Sequence, residues 1–225
     1  MKARLFLIPA VLLLCVACRP KPNKVSDAAN TGGNGQPSVK VDRRLGNFKA
    51  VPGTPFQMAP IVAAEWERSL LSKSNYPAGQ TANYLFLDTE TATFVKLLDD
   101  NRQLITNTSQ FPTGPKACRP KTACAGQSET VKSIVYTIVK QDTNNDQRLT
   151  TDDSQTIAVS DANGKNYTEL IQDADVVYHK VYKQATQRLL VAYARDGKRL
   201  LDVIDLTKKQ VIETKPMVAL GADVK

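Results

Sequence analysis

Hydrophobic and polar positions along this chain follow a two-residue rather than a helical period over most of its length. Tyr84 to Leu87 and Thr93 to Leu98 are short apolar runs separated by the polar turn Asp88-Thr89-Glu90-Thr91. Ser133 to Val139 is rich in β-branched residues, and Thr156 to Ser160 leads into Asp161-Ala162-Asn163-Gly164, where Asn-Gly is a strong hairpin signal. Val176 to Tyr182, Leu189 to Ala194 and Leu200 to Leu206 follow at short intervals, Asp196-Gly197 turns the last pair, and Val211 and Ile212 close the series. Strands of this length joined by tight turns predict a mainly β domain over 56–225, an antiparallel meander or sandwich with little helix. Residues 56–80 fit either a short helix carrying Trp66 over Ile61 to Leu71 or a loop with one strand.

Three stretches share a unit of strand, polar turn and short apolar step: LFLDTETATFVKLL, IAVSDANGKNYTELI and LDVIDLTKKQVIET. This unit resembles the outer strands of β-propeller blades, and the likeness covers residues 83 to 214. About ten strands make two to three blades, too few for a closed ring of at least four. A partial propeller-like sheet is therefore the alternative to the meander or sandwich.

The first 55 residues behave differently. Lys2 and Arg4 precede an apolar run from Leu5 to Val16, too short for a stable span of about 20 residues. Basic start, apolar core and small terminal residues describe a cleaved signal peptide over 1–17. Leu14-Cys15-Val16-Ala17-Cys18 resembles the bacterial lipobox, with Cys15 standing where the pattern usually has Leu. The resemblance implies diacylation of Cys18 as the new N-terminal residue, and hence a lipid-anchored (palmitate-type) lipoprotein of the cell envelope. Cys15 is the weaker lipid site because bulky Leu14 would precede the cut. Arg19 stands where Asp would resemble an inner-membrane retention signal, which implies the outer membrane in a Gram-negative host, facing periplasm or surface. Residues 18–55, rich in Pro, Gly, Asn, Ser and Lys, then read as a flexible tether.

The chain carries 30 Lys and Arg against 22 Asp and Glu. Loss of Lys2 and Arg4 leaves 28 against 22, a formal net charge of +6. This excess is scattered and not interleaved with aromatics, so nucleic-acid binding has no support. In an exported protein Cys118 and Cys124 are expected to pair as a disulfide closing a small loop.

Asp142-Thr143-Asn144-Asn145-Asp146-Gln147-Arg148-Leu149-Thr150-Thr151-Asp152-Asp153 is the stretch with most chemistry. It resembles an EF-hand calcium loop, more closely the dockerin-type version that ends in Asp. The resemblance implies a structural Ca2+ bound by Asp142, Asn144, Asp146, the Arg148 carbonyl, Thr150 and Asp153, with Leu149 anchoring the loop. Gln147 stands where the pattern has Gly, at a turn with positive φ, and weakens the site by about 1 kcal/mol. Strand-like flanks make it a stiffened turn rather than a sensor.

No Gly-x-Ser-x-Gly, phosphate loop or nucleophile with its base is evident, and the single His179 lies in an alternating strand. The expectation is a non-enzymatic binding or scaffold module that engages an envelope protein or glycan. The alternatives are a structural subunit of an envelope assembly or a hydrolase with an unrecognised site. Seven tyrosines, Tyr76, Tyr84, Tyr136, Tyr167, Tyr178, Tyr182 and Tyr193, supply rings that interfaces favour, several of them alternating into the core.

Overall fold

A computed structural model describes residues 43–63, 80–113, 129–146 and 149–218. The signal peptide, Cys18, the Cys118–Cys124 pair, Tyr76, Trp66, Gln147 and Arg148 lie outside the described residues. The described chain is mainly β, all antiparallel, with thirteen strands and one short 3-10 turn at Gln184–Thr186. The strands are β1 Arg43–Leu45, β2 Lys49–Ala50, β3 Phe56–Ala63, β4 Thr81–Asp88, β5 Thr93–Lys96, β6 Leu104–Thr113 and β7 Thr130–Val139. They continue with β8 Gln155–Asp161, β9 Thr168–Ala174, β10 Val176–Lys183, β11 Arg188–Arg195, β12 Lys198–Asp205 and β13 Gln210–Pro216.

The pairing resolves into three meanders. The first has β1 and β2 side by side on β3, then β4 and β5. The second runs β6-β7-β8-β9 and the third β10-β11-β12-β13. First and second join only through the pair Thr81↔Ile105, so the hydrogen-bonded sheet they share is pinched there.

Two apolar cores separate these layers. Met58, Phe86 and Val51 of the first meander pack with Ile134, Tyr136, Ile138 and Ala158 of the second. Val135, Ile157, Val159 and Ile171 of the second pack with Leu189, Val191, Tyr193 and Ile204 of the third. Alternate residues of β7 and β8 thus enter opposite cores, and the middle meander is covered on both faces. That explains why SIVYTIV and TIAV read as nearly continuous apolar runs: a strand buried on both sides has no wet face to alternate with. The result is a three-layer, propeller-like stack, the alternative of the two architectures that the strand pattern left open.

The edges show local reasons for the fold. Pro60 sits opposite the gap between β1 and β2, so its missing N–H costs no ladder bond there, and Gly46 N–H donates to its carbonyl at 2.8 Å. Pro112 lies at a register shift of β6 against β7. Asn83, fully buried, donates from Nδ2 to the Leu98 and Asp100 carbonyls and to Asn101 Oδ1, and its own Oδ1 accepts from Tyr84 and Leu98 N–H. One buried amide therefore fixes the whole 98–101 loop. Lys180 of β10 crosses to the second meander, donating to Asn107 Oδ1 at 2.7 Å and Thr137 Oγ1 at 2.9 Å, and burial lowers its pKa to about 8.

The structure departs from expectation at the N-terminal boundary. Residues 43–55, read as the end of the tether, enter the first meander, where Val51 is fully buried and its N–H donates to the Phe56 carbonyl at 2.9 Å. Strands of two and three residues carry no detectable period, so composition alone placed them in the linker. Ile61 to Ala63 belong to β3, which favours the strand reading of that segment as far as it is described.

Gly164 in the β8–β9 turn has φ +79°, and a Cβ there would lie 2.4 Å from the Phe86 ring. Gly164→Ala is expected to lower unfolding free energy by about 2–4 kcal/mol, combining a left-handed alanine with an overpacked core. In a Phe86→Leu background the same change should cost less, as urea unfolding of the double-mutant cycle would read directly.

Candidate functional site: an Asp/Asn loop and a cleft at opposite ends of β7 and β8

The Asp/Asn loop joins the end of β7 to the start of β8. Asp142 Oδ1 and Asn144 Oδ1 converge on the Asp146 N–H, at 3.2 and 2.9 Å, and so lie close together. Asn145 takes φ +61°, one of the few residue types that tolerates that conformation. Asp153, with no exposed surface, reaches back across the loop. Its Oδ1 accepts from Thr143 N–H at 2.8 Å, Asn144 N–H at 3.2 Å and Thr143 Oγ1 at 3.3 Å, while Oδ2 accepts from Thr150 N–H at 2.9 Å. The Thr150 amide, then those of Thr143 and Asn144, prevail over the opposing effect of burial and hold the Asp153 carboxyl below its ordinary pKa.

This geometry divides the six expected ligand positions. The Asp142 and Asn144 oxygens already point together, as a cation between them would require. Asp153 spends most of its lone pairs on backbone amides, so its Oδ2 is the oxygen best able to accept a further partner. Among the described residues no group of three or more His, Cys, Asp or Glu is assembled to hold a metal. The donors are thus two convergent oxygens, with Asp146 and Thr150 nearby in the loop, closed by a carboxylate that acts first as a clamp. The clamp role of Asp153 was not evident from the ligand spacing, which shows oxygen at that place but not its backbone partners.

Lys140 at the loop entrance ties β7 to β9 through Glu169, Nζ to Oε1 at 2.9 Å. Burial opposes ionisation of Glu169, but Lys140 and Gln172 outweigh it and lower its pKa.

At the other end of β7 and β8 the three meanders converge on an open cleft of about 570 Å3. Thr54 and Phe56 come from the first meander, Lys132, Ser133, Asp161 and Asn163 from the second, and Gln187, Thr207 and Lys209 from the third. Lys209 pairs with Asp161 across the second and third meanders, and donates to the Asn166 carbonyl at 3.3 Å. Pro55, Phe56, Val131, Ala162 and Leu206 make the walls more apolar than polar, with hydroxyls, amides and the Lys132 ammonium set among them. The sequence offered no sign of this cleft, because its residues come from positions 53–56, 113, 130–133, 161–163, 187, 206, 207 and 209 and match no motif. His179, the single histidine, lies exposed on β10, as expected of a surface strand residue, and does not line the cleft. Tyr136 and Tyr193 are core residues, whereas Tyr178 is half exposed.

No known family profile matches the chain, and no curated protein matches it. Among solved structures, the β-propeller domain of the Trilobed protease from Pyrococcus furiosus, described as having an open velcro topology, is similar at a TM-score of 0.39 and 10% identity. The match covers 79% of this chain and 44% of that one, so the chain spans less than half of its neighbour's length. At that level the class, a propeller-like stack of three antiparallel meanders, rests on the strand pairing and the two cores described above.

Because the folded pKa of Asp153 is depressed, its stabilisation is complete above the unfolded carboxyl value near 3.9 and is lost as pH falls through the folded one. Asp153→Asn is expected to lower the melting temperature at pH 7 and to flatten the loss of stability between pH 5 and pH 2. Thermal melts of both proteins across that range check it; parallel pH profiles would refute the clamp.

Proposed function

We propose that this chain is a lipid-anchored cell-envelope protein, attached through Cys18, whose β domain acts as a non-enzymatic binding or scaffold module stiffened by Ca2+ in the 142–153 loop. The observation that carries this reading is the division of labour along β7 and β8. One end of these strands is a clamped loop with convergent Asp142 and Asn144 oxygens, and the other opens into the 570 Å3 cleft. Ca2+ at the loop would recruit Asp142, Asn144, Asp146, the Arg148 carbonyl and Thr150, with Asp153 offering Oδ2 from its clamped position. Such a site stiffens the β7–β8 connection and leaves the cleft free to engage an envelope glycan or protein.

The lipobox resemblance at Leu14 to Cys18 and the composition after Cys18 support the anchor, and with Arg19 they support an envelope location, at the outer membrane if the host is Gram-negative. Among the described residues no helix is long and apolar enough to cross a membrane. The cleft walls, mostly apolar with a few hydroxyls, amides and Lys132 among them, are consistent with a binding surface. A structural subunit of an envelope assembly remains the second reading, favoured by the exposed Val176, Tyr178 and Val181 on β10.

Two measurements test the proposal. Calorimetry should show Ca2+ binding in the range of about 10⁻⁴–10⁻³ M typical of extracellular sites, with a raised melting temperature. Asp142→Ala should abolish both; absence of heat and of any thermal shift in the native protein would remove calcium from the reading. A pull-down from detergent-solubilised envelopes then separates the roles: retention on glycan supports a binding module, and a stoichiometric protein partner supports an assembly subunit. Loss of glycan retention in Lys132→Glu would assign it to the cleft.

A further inference from the structure

Lys180 pairs across the ladder with Val191 of β11, so its side chain leaves β10 on the face that covers the second core. It crosses the seam to the second meander, where Nζ donates to Asn107 Oδ1 of β6 and Thr137 Oγ1 of β7. Both partners are neutral. An ammonium carries three donors, and the third has no partner among the described residues. The strands around it offer no carboxylate either. β6, β7, β10 and β11 contain Lys132, Lys180, Lys183, Arg188 and Arg195 but not one Asp or Glu. Asp202 of β12 and Glu129, just before β7, act on the phenols of Tyr193 and Tyr182, while burial alone lowers the pKa of Lys180.

Burying a cation costs free energy unless an opposite charge or further hydrogen bonds offset it. Here two neutral oxygens do so, in a seam whose four strands carry positive charge alone. Such a place draws anions. The neighbouring groups have matching chemistry. Asn107 is exposed and accepts at Oδ1 from Lys180 and Ser109, which leaves its Nδ2 group to donate. Thr137 Oγ1 accepts from Lys180 and keeps its own proton to donate.

We propose that Lys180, Asn107 and Thr137 form a binding site for one oxyanion group, a carboxylate or phosphate, at the seam between the second and third meanders. The anion accepts from the third N–H of Lys180, from Asn107 Nδ2 and from the Thr137 hydroxyl, and supplies the negative charge that the four strands lack. None of the three residues lines the cleft or belongs to the 142–153 loop, so the site is independent of both.

Binding and protonation are linked at such a site. Lys180 has a pKa of about 8 against an ordinary 10.5, and a bound anion favours the charged form. By reciprocity, the factor by which the anion raises proton affinity is the factor by which the proton raises anion affinity. The site is therefore receptive at pH 7 and loses its anion as pH rises through 8, the charged fraction falling about tenfold between pH 7 and pH 9. Besides the cations named above, the titratable groups on these strands are His179 and the phenols of Tyr136, Tyr178, Tyr182 and Tyr193. His179 lies on the other face of β10, in the row of Ala192.

Carbon-13 NMR of the intact chain in mild detergent, with lysine labelled at Cε, tests the proposal. The Lys180 resonance is the one missing from Lys180→Met. Acetate and inorganic phosphate are added in turn at constant ionic strength, with chloride as the balancing anion. Either should displace the Lys180 resonance saturably and raise its titration midpoint. Asn107→Ala, at an exposed side chain, should weaken binding at least threefold. Acetate binding should weaken about tenfold from pH 7 to pH 9, in the native protein and equally in His179→Gln. Far-UV circular dichroism checks that each variant keeps its β fold. A resonance that neither anion moves beyond the effect of chloride would overturn the proposal, as would binding with an unchanged titration midpoint. So would calorimetric acetate binding that Lys180→Met retains in full, which would put the anion on other cations of the surface.

Discussion

The structure depends on the burial of the middle meander on both faces. β7 and β8 stand between the two cores, with Ile134, Tyr136 and Ile138 facing one and Val135, Ile157 and Val159 the other. A strand in that position cannot tolerate an unpaired polar atom, and the exceptions are arranged accordingly. The Tyr136 hydroxyl and Ser160 Oγ bond each other at 2.8 Å, while Thr137 accepts from Lys180 of the third meander. Burial raises the Tyr136 pKa far above that of a free phenol, so the ring remains neutral and the bond to Ser160 intact.

Because these strands are rigid, their ends are well-defined places to put chemistry. The loop at one end is closed by the Asp153 carboxylate, which replaces the backbone pairing that β7 and β8 give up as they separate. The cleft at the other end exists because three layers cannot all be capped by their own turns. Gly53, φ +69°, lets the first meander turn against Thr130 of β7, where a Cβ would lie 2.7 Å from its Cα. The Lys209–Asp161 pair then fixes the third meander to the second on the opposite wall.

Much of the fold was legible in the sequence. Asn163-Gly164 and Asp196-Gly197 mark the turns they were expected to mark, with Asp196 and Gly197 both at positive φ. The strands with clear apolar runs, β4, β7, β8, β10, β11 and β12, follow the hydrophobic pattern closely. β6 was not legible: Leu104-Ile105-Thr106-Asn107-Thr108-Ser109-Gln110 is mostly polar, and it is a strand because its backbone pairs with β7, not because its side chains demand it. β1 and β2 were hidden for the reason already given, their shortness. The stacking of meanders was also beyond the pattern, since period-two alternation says that a face is apolar but not what covers it.

The same limit explains the site. Ligand spacing identifies oxygens at fixed offsets, and Asp142, Asn144 and Asp153 do gather as one loop. Spacing says nothing about which lone pairs are already used. A carboxylate that accepts three amide N–H groups is a folding element before it is a ligand, and it performs that task whether or not a cation is present. In the proposed calcium reading the ion meets a loop already closed at its base, with little ordering left to do. A site of that kind gains affinity from preorganisation and loses it from the lone pairs committed elsewhere. With Gln147 where the pattern has Gly, the proposed site is a weak one, fit for a structural stiffener in millimolar extracellular calcium and not for a sensor.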